Sequence, residues 1–325
     1  MKEIIITKND AGQRLDRFLR KYMAGAPLSA VYKAIRKDIK VNGKRSKEDY
    51  MLCEGDVLSL YMDSEFIENS TKKKPRAKAK KQFTICYEDD NLIAVNKPYG
   101  LMVHGDETEK KNTLANQVVD YLIENGSYVP RLEKSFVPSP VHRLDRNTTG
   151  LVVFGKNAAV LRALSAMLAS ENKIEKYYLA ICKGKITEEQ LLEGYIVKDE
   201  RTNTSRIAQK CSDASKYVAT KVVPLCFAKG CSLVRVQLIT GRSHQIRVHL
   251  ASIGCPILGD PKYNRSANPN GGGNSAQMLH AFELRFAEAP EGFDYLRGLR
   301  ITADVPETFK SRALDIFGPE IEDIL

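Results

Sequence analysis

Val141-His142-Arg143-Leu144-Asp145-Arg146-Asn147-Thr148-Thr149-Gly150 runs directly into the apolar tetrad Leu151-Val152-Val153-Phe154. The tetrad has the length and branched content of a short buried strand, and Asn147 to Gly150 has turn chemistry. Asp145 therefore belongs to a loop that leads into rigid structure. His142, Arg143 and Arg146 flank it, and nearby positive charge favours the ionised form of a carboxylate. Such a residue either pins its own loop through an ion pair or presents a carboxylate to a ligand.

Working outward, Phe83–Tyr87 and Leu92–Val95 read as two strands around the acidic turn Glu88 to Asn91, and Asn96-Lys97-Pro98-Tyr99-Gly100-Leu101 follows as a turn presenting Lys97. Asn112 is placed to cap a helix whose apolar positions are Leu114, Val118, Val119 and Leu122, and Asn157 to cap one carrying Val160, Leu161, Leu164 and Leu168. Ile174–Ala180 reads as a strand. Neighbouring strand residues face opposite sides, so only one of Tyr177 and Tyr178 enters a given cleft. Leu233–Ile239 alternates like a strand and ends in Thr240-Gly241-Arg242-Ser243-His244-Gln245-Ile246-Arg247. Ser243 caps the predicted helix, Ile246, Leu250 and Ile253 form its apolar face, and His244 and Arg247 share another face. Gly271 to Gly273 is a flexible loop, since no strand–loop–helix context makes it a phosphate cradle.

The string His142-Arg143-Leu144-Asp145, with Asn96-Lys97-Pro98, Lys176-Tyr177-Tyr178-Leu179-Ala180 and Gly241-Arg242-Ser243-His244-Gln245-Ile246-Arg247, resembles the RluA-type RNA pseudouridine synthases. The four motifs occur in that family's order between about Phe83 and Pro306. Thr149 stands where a serine is common, which keeps a hydroxyl. The resemblance implies an α+β fold: a mixed, largely antiparallel sheet with a central cleft, plus a small α/β module at the N-terminus. It implies Asp145 as the catalytic carboxylate, Arg247 as its partner and Tyr178 as the functional tyrosine. Arg143 matches the residue that helps displace the target base. No cofactor is implied. The two-domain layout is RluC-like or RluD-like, which implies 23S ribosomal RNA as substrate, with transfer RNA as the alternative. A non-catalytic ribosome-assembly binder with the same fold is the reading from another class. A hydrolase lacks a second acidic partner at a recognisable position.

Charge placement points to the same partner. The 325 residues carry a net +10, with 13 basic and 8 acidic side chains in residues 1–62 and seven basic residues without an acid in 72–81. The positive charge thus gathers outside the large C-terminal part, the pattern expected for a nucleic-acid partner. In the first unit Leu15, Phe18, Leu19 and Tyr22 recur at helical spacing, and Val31 and Ile35 continue in a second helix. Ile39-Lys40-Val41 reads as a strand, Asn42-Gly43 as a tight turn, and Asp56–Leu60 as another strand. Gly12-Gln13-Arg14-Leu15-Asp16-Arg17-Phe18-Leu19, Val41-Asn42-Gly43-Lys44 and Glu54-Gly55-Asp56 resemble the small RNA-binding module named after ribosomal protein S-four. Ala30 replaces a usual arginine, and a usual glycine is missing near Lys37-Asp38. Arg14, Arg17, Lys33, Arg36, Lys37, Lys40 and Lys44 are the candidate RNA contacts. The division is residues 1–70 as that module, 71–82 as a basic flexible linker, and 83–325 as the catalytic domain; residues 63–82 show no apolar periodicity.

Seven scattered cysteines without a Cys-x-x-Cys pair fit reduced thiols. His244, His249 and Cys255 match no metal-ligand spacing. No apolar run approaches the ~20 residues that span a bilayer. A cytoplasmic monomer without a membrane partner is expected.

Overall fold

The computed structural model describes residues 1–71, 78–170, 173–199, 201, 204–208, 211–212, 215–264 and 276–325. Gly271 to Gly273 and the cluster Lys72, Lys73, Lys74 and Arg76 lie outside these described residues.

The first unit comprises β1 (Lys2–Ile5), α1 (Leu15–Tyr22), α2 (Leu28–Lys37), β2 (Ile39–Val41), β3 (Val57–Leu60) and α3 (Ser64–Thr71). Its three strands form an antiparallel sheet in the order β1-β3-β2. Leu15, Phe18 and Leu19 of α1 and Val31 and Ile35 of α2 bury against Leu58 and Leu60. Asn42 and Gly43 both take positive φ, 51° and 76°, which is why that pair makes the turn closed by Val41 and Lys44. Residues 63–71 show no apolar periodicity, yet most of them are ordered as a helix. They form α3, because Ile67 is an apolar anchor that completes the first core. A single anchor leaves no periodicity to read.

The large unit adds β4 (Thr84–Glu88), β5 (Leu92–Lys97), α4 (Leu114–Glu124), β6 (Ser139–Pro140), β7 (Thr149–Gly155), α5 (Ala158–Ala169), β8 (Ile174–Lys183), β9 (Gln190–Asp199) and β10 (Thr204–Ala208). It continues with β11 (Lys216–Ala228), β12 (Cys231–Leu238), α6 (Gln245–Ser252), β13 (Leu279–Phe286), β14 (Arg300–Thr302) and α7 (Glu307–Phe317). Nine strands run in the order β10-β9-β11-β12-β8-β13-β7-β5-β4, with β14 on β13 and β6 on β7. The fold is α+β with a large, mostly antiparallel sheet; among the described residues β7 and β13 form the parallel pair.

That pair sits at the centre because every residue of β7 is buried. Val152 and Phe154 face α4 through Leu114, Val118 and Leu122. Leu151 and Val153 face α5 through Val160 and Leu164. A strand covered on both faces reads as a continuous apolar run, and each such side chain contributes about 1.5–3 kcal/mol by leaving water. Gly150 is required where β7 begins: at φ 111° a Cβ would lie 2.1 Å from the Ala281 carbonyl oxygen on β13. Asp145 is five residues upstream, so its loop opens at the seam of the sheet.

A polar clamp joins the two units. Asp10 is fully buried and accepts hydrogen bonds from the Ser135 amide at 3.2 Å and its hydroxyl at 2.8 Å. Gln13 donates to the Ser135 hydroxyl at 2.9 Å, and Arg162 of α5 donates to the Ala11 carbonyl at 2.9 Å. At the end of the basic stretch 71–82, the Ala79 and Gln82 amides bond Asp120 and Gln117 of α4. Asp10→Ala leaves the Ser135 donors without that acceptor, at about 1–3 kcal/mol per unsatisfied group. Calorimetry should show the first unit of this variant melting separately and earlier, whereas the parent melts in one transition.

Candidate active site

Lys97, at the end of β5, is fully buried rather than presented by its turn. Its ammonium donates to the carbonyls of Pro98, Leu101 and Arg146 at 2.9, 2.8 and 2.9 Å. A short segment with three inward-facing carbonyls creates a cage that an ammonium fills with its three donors. Burial pulls Lys97 down to about 7, and the charge of Asp145 opposes that pull. Arg146 also returns a hydrogen bond to the Gly100 carbonyl at 3.1 Å. The Asn-Lys-Pro segment therefore braces the loop that carries Asp145, which closes on itself through Thr148 N–H to the Asp145 carbonyl at 3.1 Å.

The opposing wall is α6 and the loop before it. Ser243 does not cap this helix; the cap position is His244, in the left-handed region at φ 57°. Gln245 fixes the entry instead. Its oxygen accepts from the Thr240 hydroxyl and the Arg242 amide, and its nitrogen donates to the Ala219 carbonyl and the Thr220 hydroxyl. The predicted helix cap at Asn112 also moves: Thr113 caps α4 by accepting from the Asn116 amide.

Arg247 projects from α6 and is buried. Its Nη1 donates to Asp145 Oδ2 at 2.8 Å, while Nε and Nη2 grip Asp260 at 2.7 and 2.9 Å. The guanidinium also lies over the Tyr263 ring, 5.1 Å from its centroid. Burial works against the Arg247 charge, but Asp260 and then Asp145 outweigh it and raise its pKa. Burial likewise tends to raise Asp260, and the bonds from Arg247 and the amides of Lys262 and Tyr263 overcome it and lower it. Asp260 is the residue sequence reasoning missed as a participant, because no local pattern ties it to Arg247 thirteen residues earlier. Arg242 is exposed and makes no bond to Asp145.

Asp145 is partly exposed, with its side chain at 29%. Arg247 occupies Oδ2, and among the described residues Oδ1 accepts no hydrogen bond. His244 Nε2 lies 3.9 Å from Oδ2, and its Nδ1 pairs with the Tyr263 hydroxyl at 2.9 Å. His244 and Arg247 thus reach the carboxylate together, although His244 lies outside the helix. Tyr178 of β8 is buried beside Asp145, and burial first, then that charge, push its pKa up. Tyr177 faces the other side, stacked with Arg235 and bonded to Glu175. Among the described residues no cluster of three or more His, Cys, Asp or Glu is arranged to hold a metal; His249 Nδ1 pairs with the Thr220 hydroxyl instead.

Arg143 is exposed on the signature loop, close enough to His104 that, after burial, its charge helps lower that ring's pKa. Arg14 pairs with Asp16 at 3.0 Å and, with Arg36, Arg45 and Lys47, lines a groove of about 450 Å³. Arg45 and Lys47 were not singled out from the sequence, where no spacing marks them. Arg17, Lys33, Lys37 and Lys44 are exposed, and Lys40 lies over the Tyr61 ring.

Comparison with known proteins gives one answer. The family described as RNA pseudouridylate synthase matches residues 91–252. Ribosomal large subunit pseudouridine synthase C of Escherichia coli is 32% identical over 324 residues, covering 95% of each chain. A Mycoplasma capricolum protein described as an uncharacterized RNA pseudouridine synthase is 33% identical over 302 residues, 91% of this chain and 95% of its own. The solved structure of human RNA pseudouridylate synthase domain containing 4 aligns with a TM-score of 0.56 at 25% identity, over 71% of this chain and 93% of that one.

Arg247→Ala strands two carboxylates, one of them buried, and should cost about 3–5 kcal/mol, as broken buried pairs do. Asp260→Asn never touches Asp145, yet it should lower turnover about tenfold or more by releasing the guanidinium from its place. Denaturation midpoints and turnover of both variants check this; normal turnover by Asp260→Asn would remove Asp260 from the account.

Proposed function

This chain belongs to the RluA-type RNA pseudouridine synthase family, and from that premise we propose that it isomerises uridines of 23S ribosomal RNA with Asp145 as the reacting carboxylate. The observation that carries the chemistry is the 2.8 Å bond from Arg247 to Asp145 Oδ2, which orients the carboxylate and leaves Oδ1 without a donor among the described residues. The reaction breaks the uridine N1–C1′ bond, turns the base, and joins C5 to C1′; C5 then gives up its proton and the freed N1 ends protonated, so no atom is gained or lost. Asp145 serves either by forming a covalent adduct at C1′ or by taking a sugar proton on the way to a glycal. Arg247 and Asp260 set its direction; a planar guanidinium suits two carboxylates at fixed angles. Tyr178 stacks on the base, and its raised pKa brings it to the reaction as a neutral phenol. The uridine leaves its helix to be reached, and Arg143 fills the space it vacates.

The substrate assignment rests on the Escherichia coli relative, whose name specifies the ribosomal large subunit and whose likeness spans both units. Residues 1–70 act as an S-four-type RNA grip, supported by their separate core and by a groove in which Arg14, Arg36, Arg45 and Lys47 outnumber Glu48 and Asp49. The basic stretch 71–82 joins this grip to residues 83–325, and the enzyme works as a cytoplasmic monomer without a cofactor. Chemical mapping of pseudouridine in RNA from cells with and without this protein tests the assignment. Loss of defined 23S positions, restored by the parent gene, is the expected result. Loss confined to transfer RNA would replace the substrate, and an unchanged map would leave an RNA binder without catalysis.

A further inference from the structure

Lys176 has no role in the chemistry above, and its surroundings are unusual for a lysine. It lies on β8 two residues before Tyr178, so both side chains leave the same face of that strand. Tyr178 marks that face as the side of the Asp145 cleft. The ammonium packs under the loop from β12 to α6: it lies 3.6 Å from where a Cβ on Gly241 would stand. Gly241 itself is exposed, so no side chain covers the ammonium on that side. On its other flank is His142 of the signature loop. Burial and then the Lys176 charge hold that ring's pKa down to about 3, so a neutral imidazole faces the ammonium.

No carboxylate among the described residues pairs with Lys176, and burial lowers its pKa with no acid acting against it. Glu175 beside it is turned to the other face, where it accepts from Tyr177. A sequestered ammonium without a counter-charge is costly to keep. Lys97 shows how this chain satisfies a lysine that serves structure alone: three carbonyls surround it. Lys176 is half-buried and has no such cage among the described residues, which leaves its charge open to a counter-ion from outside the protein.

We propose that Lys176, framed by His142 and Gly241, forms an anion subsite that grips one backbone phosphate of the RNA strand beside the flipped uridine. The subsite lies between the two loops that bring Asp145 and Arg247 together, so a phosphate held there fixes the strand's register against the reacting carboxylate. A phosphate fits better than a uracil carbonyl because a full negative charge is what the ammonium lacks. The inference rests on the proposed reaction for its setting, but not for its chemistry.

The test uses the full chain and a short single-stranded oligouridylate. Lys176→Met should weaken binding about tenfold at low salt, the scale of a hydrogen bond to a charged group. It should flatten the slope of log affinity against log salt by ~0.7, one phosphate contact to a single strand. Replacing phosphates one at a time by uncharged methylphosphonates should reveal one position that weakens the parent protein and leaves Lys176→Met unaffected. The melting midpoint of Lys176→Met should equal or exceed the parent's, since a half-buried charge without a protein partner has been removed. An unchanged salt slope, or a methylphosphonate profile identical to the parent's, overturns the proposal. So does failure of both Lys176→Met and Lys176→Gln to fold, which would make the lysine structural. Pseudouridine formation by the unaltered protein on ribosomal RNA is scored in parallel; its absence would overturn the proposed reaction and leave the phosphate contact standing.

Discussion

One guanidinium divided between two carboxylates organises the centre of this protein. Arg247 spends two of its donors on the buried Asp260 and offers a third to Asp145. The division matters because the two acids differ in surroundings. Asp260 has no exposed side-chain area, whereas Asp145 keeps 29% of its own. The buried acid holds the arginine in place, and the arginine aims the accessible acid. An arginine paired with Asp145 alone would be free to swing out with it on a loop.

The rest of the fold keeps the two ends of that bridge at the right separation. Asp145 descends from a loop braced from below by the Lys97 ammonium and anchored ahead by β7. Arg247 comes from a helix whose first turn is tied to β11 by Gln245. These supports meet at the seam where β7 and β13 run parallel within a mostly antiparallel sheet. Gly150 permits that seam, because any side chain there would strike Ala281. Packing and polar networks thus act on the same few residues, which is how a rigid scaffold positions a loop-borne group.

Much of this was legible in the chain. The apolar run Leu151 to Phe154, the alternation that separates Tyr178 from Tyr177, and the helical offset of Arg247 each carry a local period that burial imposes. The site residues were named through a resemblance, and the geometry brings Asp145, Tyr178 and Arg247 together. What stayed illegible has physical reasons. Lys97 reads as a turn lysine because its three carbonyl partners are backbone groups, which have no letter in a sequence. The His244 cap and the Thr113 cap differ from expectation by one residue, the scale on which local turns compete for the same donors. Strands β9, β10 and β11 were not read at all: β9 alternates weakly, with Ile196 its buried apolar residue. The Asp10–Ser135 clamp joins residues 125 apart, a pairing no local pattern can announce.

The most direct measurement is single-turnover pseudouridine formation on 23S ribosomal RNA by Asp145→Asn, with RNA affinity and melting midpoint recorded on the same preparation. The substitution keeps the shape and a hydrogen-bond acceptor for Arg247 while removing the charge. The account expects no detectable pseudouridine from a folded variant that still binds RNA as tightly as the parent. Measurable turnover by a pure preparation would contradict it, and the reacting carboxylate would have to be sought elsewhere in the cleft.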